Sequence, residues 1–191
     1  MVNVVKGKSL QKALEISKKI CMLGSFGVGK SSLVRRFVYD LFDERYLTTI
    51  GVQISHRSLP RGLSASSRSP VNLKLILWDL AHIDTMNDVI KTYFRGSHGA
   101  VVVYDITRPE SFDRTAEFLL PFREINPDSP VIFAVNKCDL LSPHHANYGL
   151  FLEKTKPFNG GSCLFTSART GERVNDAFHQ LGTLLLEADG R

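Results

Sequence analysis

The sequence predicts an α/β fold: a doubly wound, mainly parallel six-stranded sheet with one antiparallel edge strand and helices on both faces. Three observations carry this. Strand-like apolar runs alternate with helical patterns along the 191 residues. Residues 100–104 and 131–135 are apolar without interruption, as in parallel strands covered on both faces. The first such run, Ile20-Cys21-Met22-Leu23, leads into Gly24-Ser25-Phe26-Gly27-Val28-Gly29-Lys30-Ser31 and then into a helical pattern.

That octet is a phosphate-binding P-loop, G-x-x-x-x-G-K-[ST], in the strand–loop–helix setting it requires. Gly24, Gly27, Val28 and Gly29 let backbone N–H groups turn inward around a di- or triphosphate. The helix N-terminus adds partial positive charge. Lys30 is expected to reach the β/γ-phosphates and the Ser31 hydroxyl to ligate Mg²⁺.

Residues 1–18 read as a basic extension with a helical stretch, Leu10-Gln11-Lys12-Ala13-Leu14-Glu15-Ile16. Residues 19–187 form one domain and 188–191 a short tail. Within the domain a strand at 19–23 is followed by a helix at about 30–39 that buries Leu33, Val34 and Phe37. A loop over 42–52 enters a strand at 53–59. Residues 60–70, rich in serine and bounded by prolines, read as a long mobile hairpin loop. Val71, Leu73, Leu75 and Leu77 then line one face of a strand. A helix over 111–124 presents Phe112, Ala116, Leu119 and Phe122, with Pro121 as a source of a kink. A looser helix at 143–154, a short strand at 162–166 and a helix at 173–186 burying Val174, Phe178, Leu181 and Leu185 complete the chain.

Hydrophobic residues make up 43% and charged ones 23%, the balance of a folded globular protein. No apolar run approaches the roughly 20 residues of a membrane span, and the N-terminus lacks a signal-peptide core. Three scattered cysteines suit a reducing cytoplasm. The net charge of +5 is concentrated. Residues 1–19 hold five lysines against Glu15, and residues 53–70 hold Arg57, Arg61 and Arg68 with no acid. The body of the chain is therefore not basic, which does not support a nucleic-acid groove. Either segment could attract an anionic membrane or an acidic partner weakly; solvated basic peptide is the plainer reading.

Three further motifs fall at the carboxyl ends of strands, where open α/β sheets bind ligands. Trp78-Asp79 places an acid for Mg²⁺, held through water. In Asn136-Lys137-Cys138-Asp139 the aspartate can accept from guanine N1–H and the exocyclic amine together, which adenine cannot match. The Lys137 stem can lie over the base. Ser167-Ala168-Arg169 can offer a backbone N–H to the guanine carbonyl. In this order, with the P-loop, the motifs indicate a guanine nucleotide, GTP or GDP.

From about residue 19 to 186 the sequence resembles the Ras-like small GTPases, with their small G domain, and within them the Rab branch. The resemblance rests on Tyr46-Leu47-Thr48-Thr49-Ile50-Gly51-Val52, on Tyr93-Phe94-Arg95-Gly96-Ser97-His98-Gly99-Ala100, and on Val103-Tyr104-Asp105-Ile106-Thr107 with Glu110-Ser111-Phe112. Lys19-Ile20-Cys21-Met22-Leu23-Gly24 and Ile76-Leu77-Trp78-Asp79-Leu80-Ala81 are most similar to the Rab-like GTPases found in bacteria. The resemblance implies that Thr49 binds Mg²⁺ and the γ-phosphate, that Phe42 packs edge-on against guanine, and that Tyr46 covers the phosphates. It also implies an apolar effector triad of Ile54, Trp78 and Tyr93, read by regulator and effector proteins; core packing explains those three residue types equally well. A cytoplasmic monomer with at most peripheral membrane contact is expected. Eukaryotic members normally carry a prenylated tail. This sequence ends without a C-terminal cysteine, so either no lipid is attached there, as in bacterial relatives, or the tail lies beyond it.

The sequence departs from the family around one phosphate. The second switch, W-D-T-A-G-Q-E in the family, reads Trp78-Asp79-Leu80-Ala81-His82-Ile83-Asp84. His82 replaces a hinge glycine, and its Cβ opposes the backbone geometry needed there. Ile83 replaces the water-orienting glutamine and has no polar atom, so no catalytic residue is intact; Asp84 is displaced by one position. Phe26 puts a ring where many members have a small residue, crowding water or an arginine finger, whose loss alone costs about 10³–10⁵ in rate. Neither His82 nor the His144-His145 pair has a ligand set of metal-binding spacing. The leading expectation is a nucleotide-dependent switch or scaffold with weak hydrolysis. A conventional GTPase completed by a partner, and a pseudo-GTPase that needs no nucleotide, stay open beside it.

Overall fold

The computed structural model describes residues 14–43, 51–62, 71–80, 88–156 and 162–190. Its elements are β1 (Leu14–Leu23), α1 (Lys30–Tyr39), β2 (Val52–Gly62), β3 (Val71–Leu80), α2 (Asp88–Phe94), β4 (Gly99–Asp105), α3 (Thr115–Ile125), β5 (Val131–Asn136), α4 (Ala146–Thr155), β6 (Ser162–Phe165) and α5 (Val174–Ala188). The six strands form one sheet in the order β2-β3-β1-β4-β5-β6. β1 pairs in parallel with β3 and β4, β4 with β5, and β5 with β6; only the edge strand β2 runs antiparallel, against β3. This is the sheet the sequence predicts.

Alternation along the strands sorts side chains between two cores, because successive strand residues face opposite ways. Ile20 and Met22 point to the side covered by α1 and α5, where Phe37 and Phe178 stack with ring centroids 4.0 Å apart. Cys21 and Leu23 point to the other side, filled by Phe94 of α2, Phe118 and Phe122 of α3, Phe151 of α4 and Tyr104 of β4. Each fully buried ring contributes on the order of 1.5–3 kcal/mol through removal from water. Since β1 feeds α1 on one face and β4 feeds α3 on the other, a crevice opens between the carboxyl ends of β1 and β4, the switch point where such sheets bind ligands.

Several boundaries differ from the sequence expectation. The helical stretch placed at 10–16 is strand from Leu14 onward, and β1 begins five residues before Lys19. Leu14, Glu15 and Ile16 pair with Val71, Asn72 and Leu73, and sheet pairing outweighs the modest helix propensity of three residues. Lys18 is buried in consequence and donates to Asp189 Oδ1 at 2.7 Å, fastening β1 to the end of α5. β2 runs on through Pro60 to Gly62, with a register shift after Leu59. A proline is tolerated there because β2 is an edge strand; the rest of the expected loop lies outside the described residues. The helix placed at 111–124 divides into a 3₁₀ turn, Pro109–Phe112, and α3 starting at Thr115. The later start rotates the buried face to Thr115, Phe118, Leu119 and Phe122 and leaves Ala116 exposed. α2 is an element that sequence reading did not place.

Candidate functional site

The phosphate loop takes its shape from short-range geometry. Gly24 has φ 132° and Gly29 φ 100°, values that L side chains rarely adopt. A Cβ on Gly24 would sit 2.3 Å from the carbonyl oxygen of Val103, and one on Gly29 would sit 2.2 Å from Asn136 Nδ2. The glycines thus permit both the turn and the close approach of β4 and β5. α1 begins directly at Lys30 with no acid in its first turn, so no acid of the helix itself offsets its N-terminal positive end. Lys30 is buried, and its Nζ donates to the carbonyls of Gly24 at 2.7 Å and Ser25 at 3.0 Å.

β3 delivers Asp79 beneath the loop, 1% exposed, where Ser31 Oγ donates to its Oδ2. Burial raises the carboxyl pKa; the hydrogen bond from Ser31 and the charges of Lys30 and Arg35 oppose that shift without cancelling it. Among the described residues three buried side-chain atoms have no hydrogen-bond partner: Ser25 Oγ, Asp79 Oδ1 and Thr166 Oγ1. Ser25 and Thr166 follow the carboxyl ends of β1 and β6, and Asp79 is the penultimate residue of β3. Unsatisfied buried polar atoms cost about 1–3 kcal/mol each, which makes the carboxyl end of the sheet the candidate ligand site.

The base-side loops are joined to the phosphate loop by Asn136, which ends β5. Its Nδ2 donates to the Val28 carbonyl at 3.0 Å, and its Oδ1 accepts from the Ala168 N–H at 3.1 Å. Asn136, expected from the sequence to bind guanine, thus ties the two loops together. Lys137 follows with φ 64°, a strained value for a non-glycine residue, and its Nζ donates to Asp105 Oδ2 at 2.5 Å. Asp139 is exposed on a 3₁₀ turn. Ser167 Oγ accepts from the Thr170 N–H at 3.0 Å, closing the turn that carries Ala168 and Arg169. Cys138, between the motif residues, is buried; desolvation, then Glu172, pushes its thiol up to about 12, so it packs rather than reacts.

Sequence reading missed two supports. Arg36 of α1 reaches the carbonyls of Ala168 at 2.8 Å and Arg169 at 2.6 Å. Nothing local separates it from neighbouring Arg35. Asp105 collects Thr107, Arg108 and Lys137; an acid ending an unbroken apolar run was the available signal. Of the remaining expected residues, Phe42 is half-buried against the α1/α5 core, and Phe26 is 43% exposed. Thr49, Tyr46, His82, Ile83 and Asp84 lie outside the described residues.

Ile54, Trp78 and Tyr93 do come together. Ile54 and Trp78 are register partners across β2 and β3, and the Trp78 and Tyr93 rings lie 6.1 Å apart. Ile54 is 55% exposed, while the two rings are half-buried. Lys19 Nζ sits over the Trp78 ring at 4.0 Å. A separate cavity of about 290 Å³, lined by Lys18, His98 and Asn126 among others, lies at the amino ends of β4 and β5, away from this chemistry.

A glycine-shaped loop opening a helix, a buried carboxylate under it and clamped base-side loops at the switch point define a small G-domain P-loop NTPase fold. The Ras family model matches residues 19–187. Human Ras-related protein Rab-31 is 39% identical over 123 residues, covering 64% of this chain and 60% of that protein. Rice Ras-related protein Rab5A is 33% identical over 173 residues, 88% and 80% of the two chains. Ras-related protein Rab-32C of Dictyostelium discoideum is 30% identical over 178 residues, 91% and 75% of the two chains. The chain thus spans about three-fifths of the length of the Rab-31 protein it matches. It belongs to the Ras family of small GTPases, in the Rab branch. Among the described residues no helix is long and apolar enough to cross a membrane.

Proposed function

We propose that the protein binds GTP or GDP with Mg²⁺ and acts as a nucleotide-dependent switch or scaffold with slow intrinsic hydrolysis. The observation that carries this is the set of polar atoms without a partner among the described residues, Ser25 Oγ, Asp79 Oδ1 and Thr166 Oγ1, all at the carboxyl end of the sheet. A buried carboxylate oxygen without a partner, next to a serine hydroxyl, suits a hard cation that takes oxygen ligands. Ser31 and Asp79 would hold the ion, joined by Thr49 from the first switch. When bound, Mg²⁺ draws negative charge off the β- and γ-phosphates. Lys30 would exchange its two carbonyl acceptors for phosphate oxygens, and the α1 N-terminus would add its partial charge. Asp139 would select guanine, with Asn136 and Arg36 holding the base-side loops in place.

Slow turnover is supported by His82 and Ile83 in the second switch and by Phe26 in the loop. The contiguous Ile54–Trp78–Tyr93 face supports recognition by regulator and effector proteins, and we infer a cytoplasmic protein with at most peripheral membrane contact. The test is to extract nucleotide from the purified full chain, identify it by chromatography, and measure single-turnover GTP hydrolysis. Retained GTP with slow turnover is the expected result. A rate matching an ordinary small GTPase overturns slow hydrolysis. Absence of guanine nucleotide, with no uptake of labelled GDP and Mg²⁺, overturns the binding reading.

A further inference from the structure

One buried carboxylate holds three loops across the crevice between β1 and β4. Asp105, 1% exposed, ends β4. Its Oδ1 accepts from Thr107 N at 3.0 Å and Thr107 Oγ1 at 2.6 Å. Its Oδ2 accepts from Arg108 Nε at 3.1 Å and from Lys137 Nζ at 2.5 Å. Arg108 continues across the crevice, where its Nη2 donates to the carbonyl oxygen of Phe26 at 3.0 Å. A guanidinium suits this task because its N–H groups form a rigid planar fork that serves two acceptors at once.

The Phe26 contact completes a series. Along the phosphate loop, side chains hold the carbonyls of Gly24 and Ser25 through Lys30, of Phe26 through Arg108, and of Val28 through Asn136. A peptide group is planar and trans, so its C=O and the following N–H point in opposite directions. Fixing the Phe26 carbonyl toward Arg108 therefore fixes the Gly27 N–H in the opposite direction. Lys30 would leave its carbonyls to reach a phosphate, whereas Arg108, whose other partner is the Asp105 carboxylate, would keep its hold.

We propose that Arg108 is a positioning residue that sets the Phe26–Gly27 peptide plane and so pre-orients the phosphate loop, with Asp105 as its anchor and Lys137 held on the same carboxylate. As a statement about ligand retention this rests on the guanine-nucleotide reading; as a statement about the loop it stands alone.

The test compares the full-length wild type with Arg108→Ala and Arg108→Lys by two measurements: release of a fluorescent GDP analogue in Mg²⁺, and amide hydrogen exchange over residues 24–30 in nucleotide-free protein. Arg108→Ala should release nucleotide on the order of five- to tenfold faster, the factor for one lost hydrogen bond. It should also exchange faster over residues 24–30, with β5 unchanged. Arg108→Lys keeps the charge beside Asp105 but not the fork; it should keep the wild-type melting temperature while still exchanging faster at the loop, which separates positioning from general stability. If Arg108→Ala does not fold, the lysine variant carries both measurements. Unchanged exchange over residues 24–30 overturns the proposal. Faster exchange with unchanged release overturns its role in retention. A wild type that takes up no fluorescent GDP overturns the guanine reading, and exchange alone then decides the role of Arg108.

Discussion

Replacing Asn136 by alanine separates the phosphate loop from the base-side loops. The side chain is 2% exposed and makes two hydrogen bonds, to partners 108 and 32 residues away in the chain. The variant leaves the Val28 carbonyl and the Ala168 N–H in the protein interior without their partner. Each orphaned group costs about 1–3 kcal/mol, so the expected destabilisation is roughly 2–6 kcal/mol out of the roughly 5–15 typical of a domain. The smaller alanine introduces no clash beside Gly29, so the loss is that of the two hydrogen bonds. Urea unfolding of nucleotide-free protein measures the effect, and an unchanged slope with a lower midpoint is expected. Asn136→Asp should be at least as damaging, because it sets an acceptor against the Val28 carbonyl. A loss under about 0.5 kcal/mol for Asn136→Ala, the range of ordinary surface substitutions, would refute the clamp.

Asp79→Asn should leave Mg²⁺-free protein as stable as wild type or more so, because it removes a buried charge with an unsatisfied oxygen while still accepting from Ser31; it should also abolish Mg²⁺-dependent nucleotide retention. Thermal melts with and without Mg²⁺ and GDP check both, and equal stabilisation of variant and wild type by the pair would count against a metal role. For Asp105, burial raises the carboxyl pKa, but the hydrogen bonds from Lys137 and Thr107 outweigh it and the net shift is downward from 3.8. A depressed folded pKa gives stability that is present above the unfolded value and lost as pH falls through the folded one. The stability gap between wild type and Asp105→Asn should therefore be constant above about pH 4 and narrow below it. Urea midpoints across that range decide, and a gap that widens with acid would contradict the assignment.

The parts of this protein written in short stretches of chain were legible in the sequence. The P-loop, the Asn136–Asp139 and Ser167–Arg169 motifs and the buried stripes of α1 and α5 depend on residues within a turn or two of each other, and spacing alone places them. The parallel strands were legible too, because cover on both faces demands unbroken apolar runs. Other features were settled only by the fold. Leu14 to Ile16 became strand because β3 stood ready to pair with them. Asn136 became a clamp because β5 ends beside the Val28 carbonyl. Arg36 and Arg108, unremarkable among surface arginines in the sequence, acquired their roles from carbonyls 132 and 82 residues away. Composition and periodicity report what a residue's own element requires. Which distant backbone oxygen a long side chain meets is decided by how the elements pack.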